Sequence, residues 1–225
     1  MLQALLDIFI QINTKAVIHM KKGIFIAFEG LDGSGKTTQF NAISTRLANM
    51  NIKCKEEKEP SAGNPIGLML RDIVKSPHGP SLSPLSLAKL FSVDRYEHVI
   101  NDIKPHIDAG IHVLVDRFVF SSFAYQGLTC SFDEIYFWNQ HAIELLMPDI
   151  TVFIDTDPEV CMQRIVCNRA GMELFDSNGI VIRQNFYSAF EKMQDIAEVV
   201  IVDGNQPCDV VTESIWNRIE TLFSL

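Results

Sequence analysis

Apolar positions gather into short runs separated by longer amphipathic stretches. Gly23 to Phe28 is an almost wholly apolar run of strand formers that leads straight into glycines, the pattern of a strand buried on both faces. Similar runs recur at Ile111 to Val115, Ile150 to Ile154 and Val199 to Val202, while Ile52 to Lys58 is more polar and suits a strand near a sheet edge. Helical patterns fill the intervals at Lys36 to Met50, Pro65 to Val74, Pro84 to Ala109, Ser131 to Met147, Pro158 to Cys167, Ile180 to Ala197 and Asp209 to Phe223. Several boundaries carry their own signals. Ser83 before Pro84 and Asp157 before Pro158 place a capping side chain ahead of a first-turn proline, and Ser131-Phe-Asp-Glu134 has the form of a capping box.

Strands that alternate with helices need crossover connections, so the expected fold is α/β: a largely parallel five-stranded sheet with helices on both faces, three layers in all. Ligands in such folds gather at the carboxyl ends of the strands. Four polar clusters follow strand or helix ends, at Gly30 to Thr38, Glu59 to Gly63, Asp116 to Gln126 and Arg164 to Asp176.

The 225 residues suit one compact domain, expected over residues 23–225, with residues 1–22 as an N-terminal extension. Met20, Lys21 and Lys22 directly precede the first strand, so the first 19 residues read either as an upstream-start extension or as an added terminal helix. That segment carries Asp7 early and has no basic leading stretch or small-residue cleavage site, unlike a signal peptide. No apolar run reaches the length of a membrane span, and the expected location is cytoplasmic. A formal net charge of −9 argues against general nucleic-acid binding, though a local field can still attract a small phosphate ligand. The five cysteines form neither a C-x-x-C pair nor a metal-ligand pattern, which suits reduced structural thiols.

Gly30-Leu-Asp-Gly-Ser-Gly-Lys-Thr37 satisfies G-x-x-x-x-G-K-[ST] between a predicted strand and a predicted helix. In that setting backbone amides curl around phosphate oxygens at the positive end of the helix, Lys36 reaches the outer phosphates and Thr37 can ligate magnesium. GTPases and motors share this loop. The N-K-x-D motif of guanine readers is absent, however, and the one D-x-x-G match outside the phosphate loop, Asp176 to Gly179, does not follow a strand. Val113-Leu-Val-Asp-Arg117 ends a buried strand in an acid and a base, so that Asp116 can face a phosphate-bound magnesium and Arg117 a second phosphate.

From about Lys22 to the carboxyl end the sequence resembles thymidylate kinases, of the P-loop kinase fold. The matching segments are Phe28 to Gln39 (FEGLDGSGKTTQ), Lys58-Glu-Pro60, Leu90 to Arg95 (LFSVDR), Asp116 to Gly127 (DRFVFSSFAYQG) and Pro148 to Glu159 (PDITVFIDTDPE). The resemblance implies magnesium-dependent transfer of the ATP γ-phosphoryl group to dTMP, giving dTDP and ADP, by a homodimer. ATP would lie on Gly30, Leu31, Asp32, Gly33, Ser34, Gly35, Lys36, Thr37 and Thr38, and Mg2+ on Thr37 and Asp116. For dTMP the resemblance places Phe91 on the thymine ring, Arg95 on a base carbonyl, and Ser122 and Gln126 at the base edge. It sets Tyr125 against the deoxyribose, Arg71 and Arg117 on the phosphate, Glu59 and Pro60 in the substrate loop, and Asp32 near the sugar and the accepting phosphate. A lid around residues 164–179 would bring Arg164 and Arg169 to the triphosphate, joining Lys36, Asp32 and Arg117 in catalysis. Arg183 and Tyr187 would help with phosphate and sugar or serve the fold.

The pattern departs from the family at Lys58, where Arg is common, at Ser61-Ala62-Gly63, which replaces Gly-Gly-Thr, and at Leu174-Phe175-Asp176, which lacks a frequent arginine. Two other functions use the same loop. A deoxynucleoside kinase would need a carboxylate base more than phosphate-gripping arginines, and a nucleotide-binding switch would keep the pocket without efficient turnover.

Overall fold

The computed structural model describes residues 22–76, 82–168 and 173–223. Five strands, β1 (Phe25–Gly30), β2 (Cys54–Lys58), β3 (His112–Asp116), β4 (Ile150–Asp155) and β5 (Val199–Asp203), form one sheet in the order β2-β3-β1-β4-β5. All four pairings are parallel. Every residue of central β1 is buried, whereas β2 is an edge strand with two exposed residues in succession, as its mixed sequence implied.

Alternation along the strands sends side chains into two separate cores. Phe25 and Ala27 join Val113, Val115 and Phe153 on one face, while Ile26 and Phe28 join Leu114, Val152 and Ile154 on the other. Helices cover both faces: α1 (Lys36–Asn49), α2 (Pro65–Lys75), α3 (Pro84–His98), α4 (Lys104–Asp108), α5 (Val119–Tyr125), α6 (Phe132–Leu145), α7 (Pro158–Asn168), α8 (Gly179–Lys192) and α9 (Cys208–Ile219). α1 and α9 seal the second core through Phe40, Ile43, Leu47, Ile215 and Trp216, and α5, α6 and α8 seal the first. This is the layered α/β architecture expected of a P-loop kinase fold. Among the described residues, no helix is long and apolar enough to cross a membrane, and all five cysteines are free thiols.

The expected caps are in place. Ser83 accepts from the Ser86 amide, Asp157 from the Glu159 amide, and Ser131 and Glu134 make both halves of a capping box. Two expectations needed revision. The segment read as one helix from Pro84 to Ala109 is α3 and α4 joined by a π-helical stretch, Val99–Ile103. Pro105 has no amide hydrogen and its ring crowds the preceding turn, so a wider turn ahead of it keeps the axis going where a regular one would break. The second is α5, which lies inside the segment read only as a polar cluster after β3. All seven of its residues are buried.

Candidate active site

The carboxyl ends of β1, β2 and β3 meet at one edge of the sheet, where two hollows adjoin. The first, the donor hollow, is walled by Leu31, Asp32, Gly33, Gly35, Lys36, Thr37 and Thr38 of the loop and first turn between β1 and α1, together with Arg164 of α7. Gly30 and Ser34 complete that loop, with the Ser34 side chain buried. Gly33 takes φ +78° where an added Cβ would lie 2.4 Å from the carbonyl oxygen of Cys161, so the loop packs directly on α7. Lys36 is buried, whereas Thr37 and Thr38 at the start of α1 are exposed. Arg164 lies 3.3 Å from the carbonyl oxygens of Gly33 and Ser34 and 3.5 Å from that of Gly204. Arg169 lies outside the described residues.

The second, the acceptor hollow, is a cavity of about 360 Å³ lined by Glu59, Pro60, Arg71, Phe91, Arg95, Ser121, Ser122, Tyr125, Gln126 and Phe175 among others. Its walls come from the loop after β2, α2, α3 and α5. All ten residues expected to hold the acceptor therefore border one space, since Asp32 and Arg117 line it too. Asp32, Lys58 and Arg117 belong to both hollows and mark their junction.

Electrostatics at this junction follow from burial. Lys36 Nζ lies 2.9 Å from Asp116 Oδ1 and Lys58 Nζ lies 2.8 Å from Asp116 Oδ2. Burial alone would raise the Asp116 carboxyl, but attraction to Lys36, then to Arg117 and Lys58, holds it well below the usual carboxylate range. Burial, helped by the neighbouring Arg117, lowers the Lys36 ammonium, against the pull of Asp116 and Asp32. Arg117 has φ +76°, uncommon for a residue with a side chain. From there its guanidinium donates to Asp32 Oδ1 at 2.7 Å and to Ser121 Oγ at 3.0 Å, and it lies 4.8 Å from the centre of the Tyr125 ring. Burial acts against its charge, but Tyr125, Asp32, Asp116 and Glu29 together raise its pKa further above the ordinary arginine value.

Arg95 is 2% exposed and forms the floor of the acceptor hollow. It donates to Ser122 Oγ at 2.7 Å, Asn139 Oδ1 at 2.6 Å and the Phe118 carbonyl at 3.1 Å, and pairs with Glu59 Oε2 at 2.7 Å. Its Nε is buried without a protein acceptor, a costly state unless a ligand supplies one. Arg71 donates to the Pro60 carbonyl at 2.6 Å, and half-buried Phe91 presents a ring to the same space. The Glu59-Pro60 peptide is cis.

Several supporting residues had not been singled out. Glu29, fully buried at the end of β1, accepts from the amides of Phe118 and Ser121 and from Ser121 Oγ, and so caps α5 from a neighbouring strand. Asp94 takes the Ser61 amide and the Asn64 side chain and pins the loop after β2. Asn139 holds Arg95. Glu29 was visible inside the Phe-Glu-Gly segment, though nothing local gave it a task; Asn139 had no signal at all. Arg183 and Tyr187 both bind Asp155, with oxygen contacts of 2.5 to 2.7 Å, and line neither hollow.

Known proteins resemble this sequence over most of its length. Residues 28–215 match the family model described as thymidylate kinase. The thymidylate kinase of Bacillus licheniformis is 33% identical over 203 residues, which cover 88% of this chain and 95% of that protein. That of Clostridium novyi is 34% identical over 204 residues, 87% of this chain and 98% of that protein. The Halalkalibacterium halodurans enzyme is 32% identical over 211 residues, 92% and 100% respectively.

Proposed function

The chain belongs to the thymidylate kinase family, which phosphorylates dTMP to dTDP with ATP, and from that premise we propose how its own residues carry the transfer. The observation that carries the reading is the junction. Asp32, Lys58 and Arg117 border both hollows, so a donor phosphate and an acceptor phosphate bound in them would meet among these three side chains.

In this reading ATP lies with its phosphates on the Gly30 to Thr38 loop, and Lys36 and Arg164 draw charge from the outer phosphates. The acceptor enters with thymine against Phe91, its carbonyl on the unpartnered Arg95 donor, its edge on Ser122 and Gln126 and its sugar on Tyr125. Arg71 and Arg117 hold its phosphate, Asp32 orients the accepting end, and Glu59 and Pro60 fix the loop above. The acceptor is already an anion, so no covalent nucleophile is needed; positioning and charge neutralisation supply the rate.

Thr37 and Asp116 would hold Mg2+. They suit a hard cation because one is an exposed hydroxyl at the head of α1 and the other a carboxylate kept ionised. When bound, the ion would neutralise charge on the donor phosphates. Residues around 164–179, Arg169 included, would act as a lid that excludes water. We place the enzyme in the cytoplasm as a single domain over residues 23–225.

A homodimer belongs to the same proposal. Phe137 is 64% exposed, and His141 and Leu145 follow it at one-turn intervals on α6. Tyr96 meets His141 edge-on and exposed Val93 lies one turn before Tyr96, giving an apolar face across α3 and α6.

The test is ADP formation from ATP and magnesium with dTMP, dUMP, dCMP, dGMP, dAMP and thymidine as acceptors at equal concentration. We expect preference for dTMP, lost in Lys36→Ala. Preference for thymidine would make the protein a nucleoside kinase, and the absence of acceptor-dependent turnover would overturn the enzymatic reading.

A further inference from the structure

Beneath the acceptor hollow lies an ionic chain that the transfer reaction does not use directly. His98, at the end of α3, has no exposed side-chain surface. Its Nε2 lies 3.4 Å from Glu57 Oε2 on β2 and its Nδ1 lies 3.4 Å from Glu59 Oε1 in the following loop. The other oxygen of Glu59 pairs with Arg95, whose guanidinium continues to Ser122 and Asn139. The order is therefore Glu57, His98, Glu59, Arg95, base edge. Glu59 and Arg95 are almost fully enclosed, at 3% and 2% exposed, as is Asn139, which holds Arg95, at 2%.

We propose that His98 is a positioning residue for the acceptor nucleotide: by bridging Glu57 and Glu59 it fixes the carboxylate that orients Arg95. The proposal rests on the reading of this hollow as the dTMP site. Glu59 has two buried oxygens and two neighbours of opposite task. Arg95 draws one oxygen toward the base, and His98 holds the other back toward the sheet. Remove that restraint and the carboxylate can rotate about its terminal torsion, which is soft, letting Arg95 leave the angle at which its free Nε donor meets the base.

Burial works against a charged imidazole here, but Glu57 and then Glu59 outweigh it and raise the His98 pKa to about 9. Contact with His98 is also the leading reason that the Glu57 carboxyl is lowered. Among the described residues the charged groups acting on His98 come from β2 and its following loop, namely Glu57 and Glu59. Asp94 and Asp102 lie one turn away on its own helical segment, and Asp94 is occupied by Ser61 and Asn64. The bridge is thus charged at neutral pH and lost as pH rises through about 9.

The test is His98→Gln, which keeps a polar side chain of similar reach but cannot be charged. At neutral pH we expect the KM for dTMP to rise about tenfold, with the KM for ATP and kcat changed by less than about twofold. Wild-type dTMP binding, measured by calorimetry from neutral pH to above pH 9, should weaken with a component absent from the variant. Ionisation of the thymine ring is common to both proteins and cancels in the difference. If the variant matches wild type in dTMP KM, or both proteins share one pH profile, the proposal is wrong. Equal losses for ATP and dTMP would reduce His98 to a packing residue. Should His98→Gln not fold, His98→Asn replaces it, and a wild-type profile with no component beyond free dTMP's own ionisation would reject the idea. A wild type that does not turn over dTMP would instead reject the functional reading itself.

Discussion

Asp116→Asn tests the electrostatic core of the site, because it removes one charge while keeping the shape. Asp116 is 3% exposed and Lys36 5%, so the substitution leaves a buried ammonium with its nearest counter-charge gone. Breaking a buried ion pair from one side typically costs about 3–5 kcal/mol. In a domain of this size each kcal/mol moves the melting temperature by about 2–4 °C, so the expected fall is roughly 6–20 °C. Lys36 can limit the loss by giving up its proton, since burial and Arg117 already lower its pKa. That relief has its own signature when ATP is titrated without magnesium, so that the part of Asp116 in holding the ion drops out: the variant should lose ATP affinity, because a neutral Lys36 no longer draws the outer phosphates. The wild type supplies a second check through pH. A carboxyl whose folded pKa is depressed contributes stability above its unfolded value, about 3.9 for Asp, and loses that contribution as pH falls below it. The acid limb of the wild-type stability curve should therefore be steeper than that of the variant. Calorimetric melts at several pH values and ATP titration decide the matter. A melting point within about 2 °C of wild type, with unchanged ATP affinity, would refute the account of Asp116 as the counter-charge of Lys36.

Two glycines of the donor loop should respond differently to the same methyl group. At Gly33 an alanine faces both a left-handed backbone and the Cys161 carbonyl at 2.4 Å, whereas at Gly35, φ +92°, the nearest atom outside the loop is the Arg164 guanidinium at 3.7 Å. Gly33→Ala should cost about 2–5 kcal/mol in urea unfolding and Gly35→Ala about 1–2 kcal/mol, while both weaken ATP binding; the reverse order in stability would contradict the packing of the loop on α7. Ser131→Ala removes one half of a capping box that lines neither hollow, and should lower stability by about 1 kcal/mol with kinetic constants unchanged.

What could be read in advance was whatever the chain writes locally. The buried strands, the caps at Ser83, Ser131 and Asp157, the edge character of β2 and the phosphate loop each depend on neighbours within a few residues. Helix α5 escaped because periodicity needs a wet face to contrast with a dry one, and all seven of its residues are buried. Its N-terminus is capped by Glu29, 89 residues before Phe118, so no local cap announced it either. The floor of the acceptor hollow was half legible for the same reason. Arg95 stood in a recognisable segment, but Asn139 lies 44 residues away and Glu59 reaches His98 across 39. Such partners are set by topology, which brings α3, α6 and the loop after β2 together only once the sheet is ordered.

The arrangement also shows how a chain of net charge −9 can receive two polyanions. The cations at the junction do not wait as a bare positive cluster, which would repel itself and destabilise the fold. Lys36 and Lys58 share Asp116, and Arg117 holds Asp32. A nucleotide phosphate therefore competes with a carboxylate already at hydrogen-bond distance, and the cation changes partners with little reorientation. Backbone carbonyls hold two others: that of Pro60 holds Arg71, and those of Gly33, Ser34 and Gly204 hold Arg164. The full charge of Arg164 remains for the donor, while its contacts tie α7 to the backbone that cradles the phosphates. At Lys36, Lys58 and Arg117 recognition then comes from exchange, since an arriving oxygen must match a carboxylate in place as well as in charge; at Arg95 it comes from vacancy, since the partners are fixed and one donor is left over for the base.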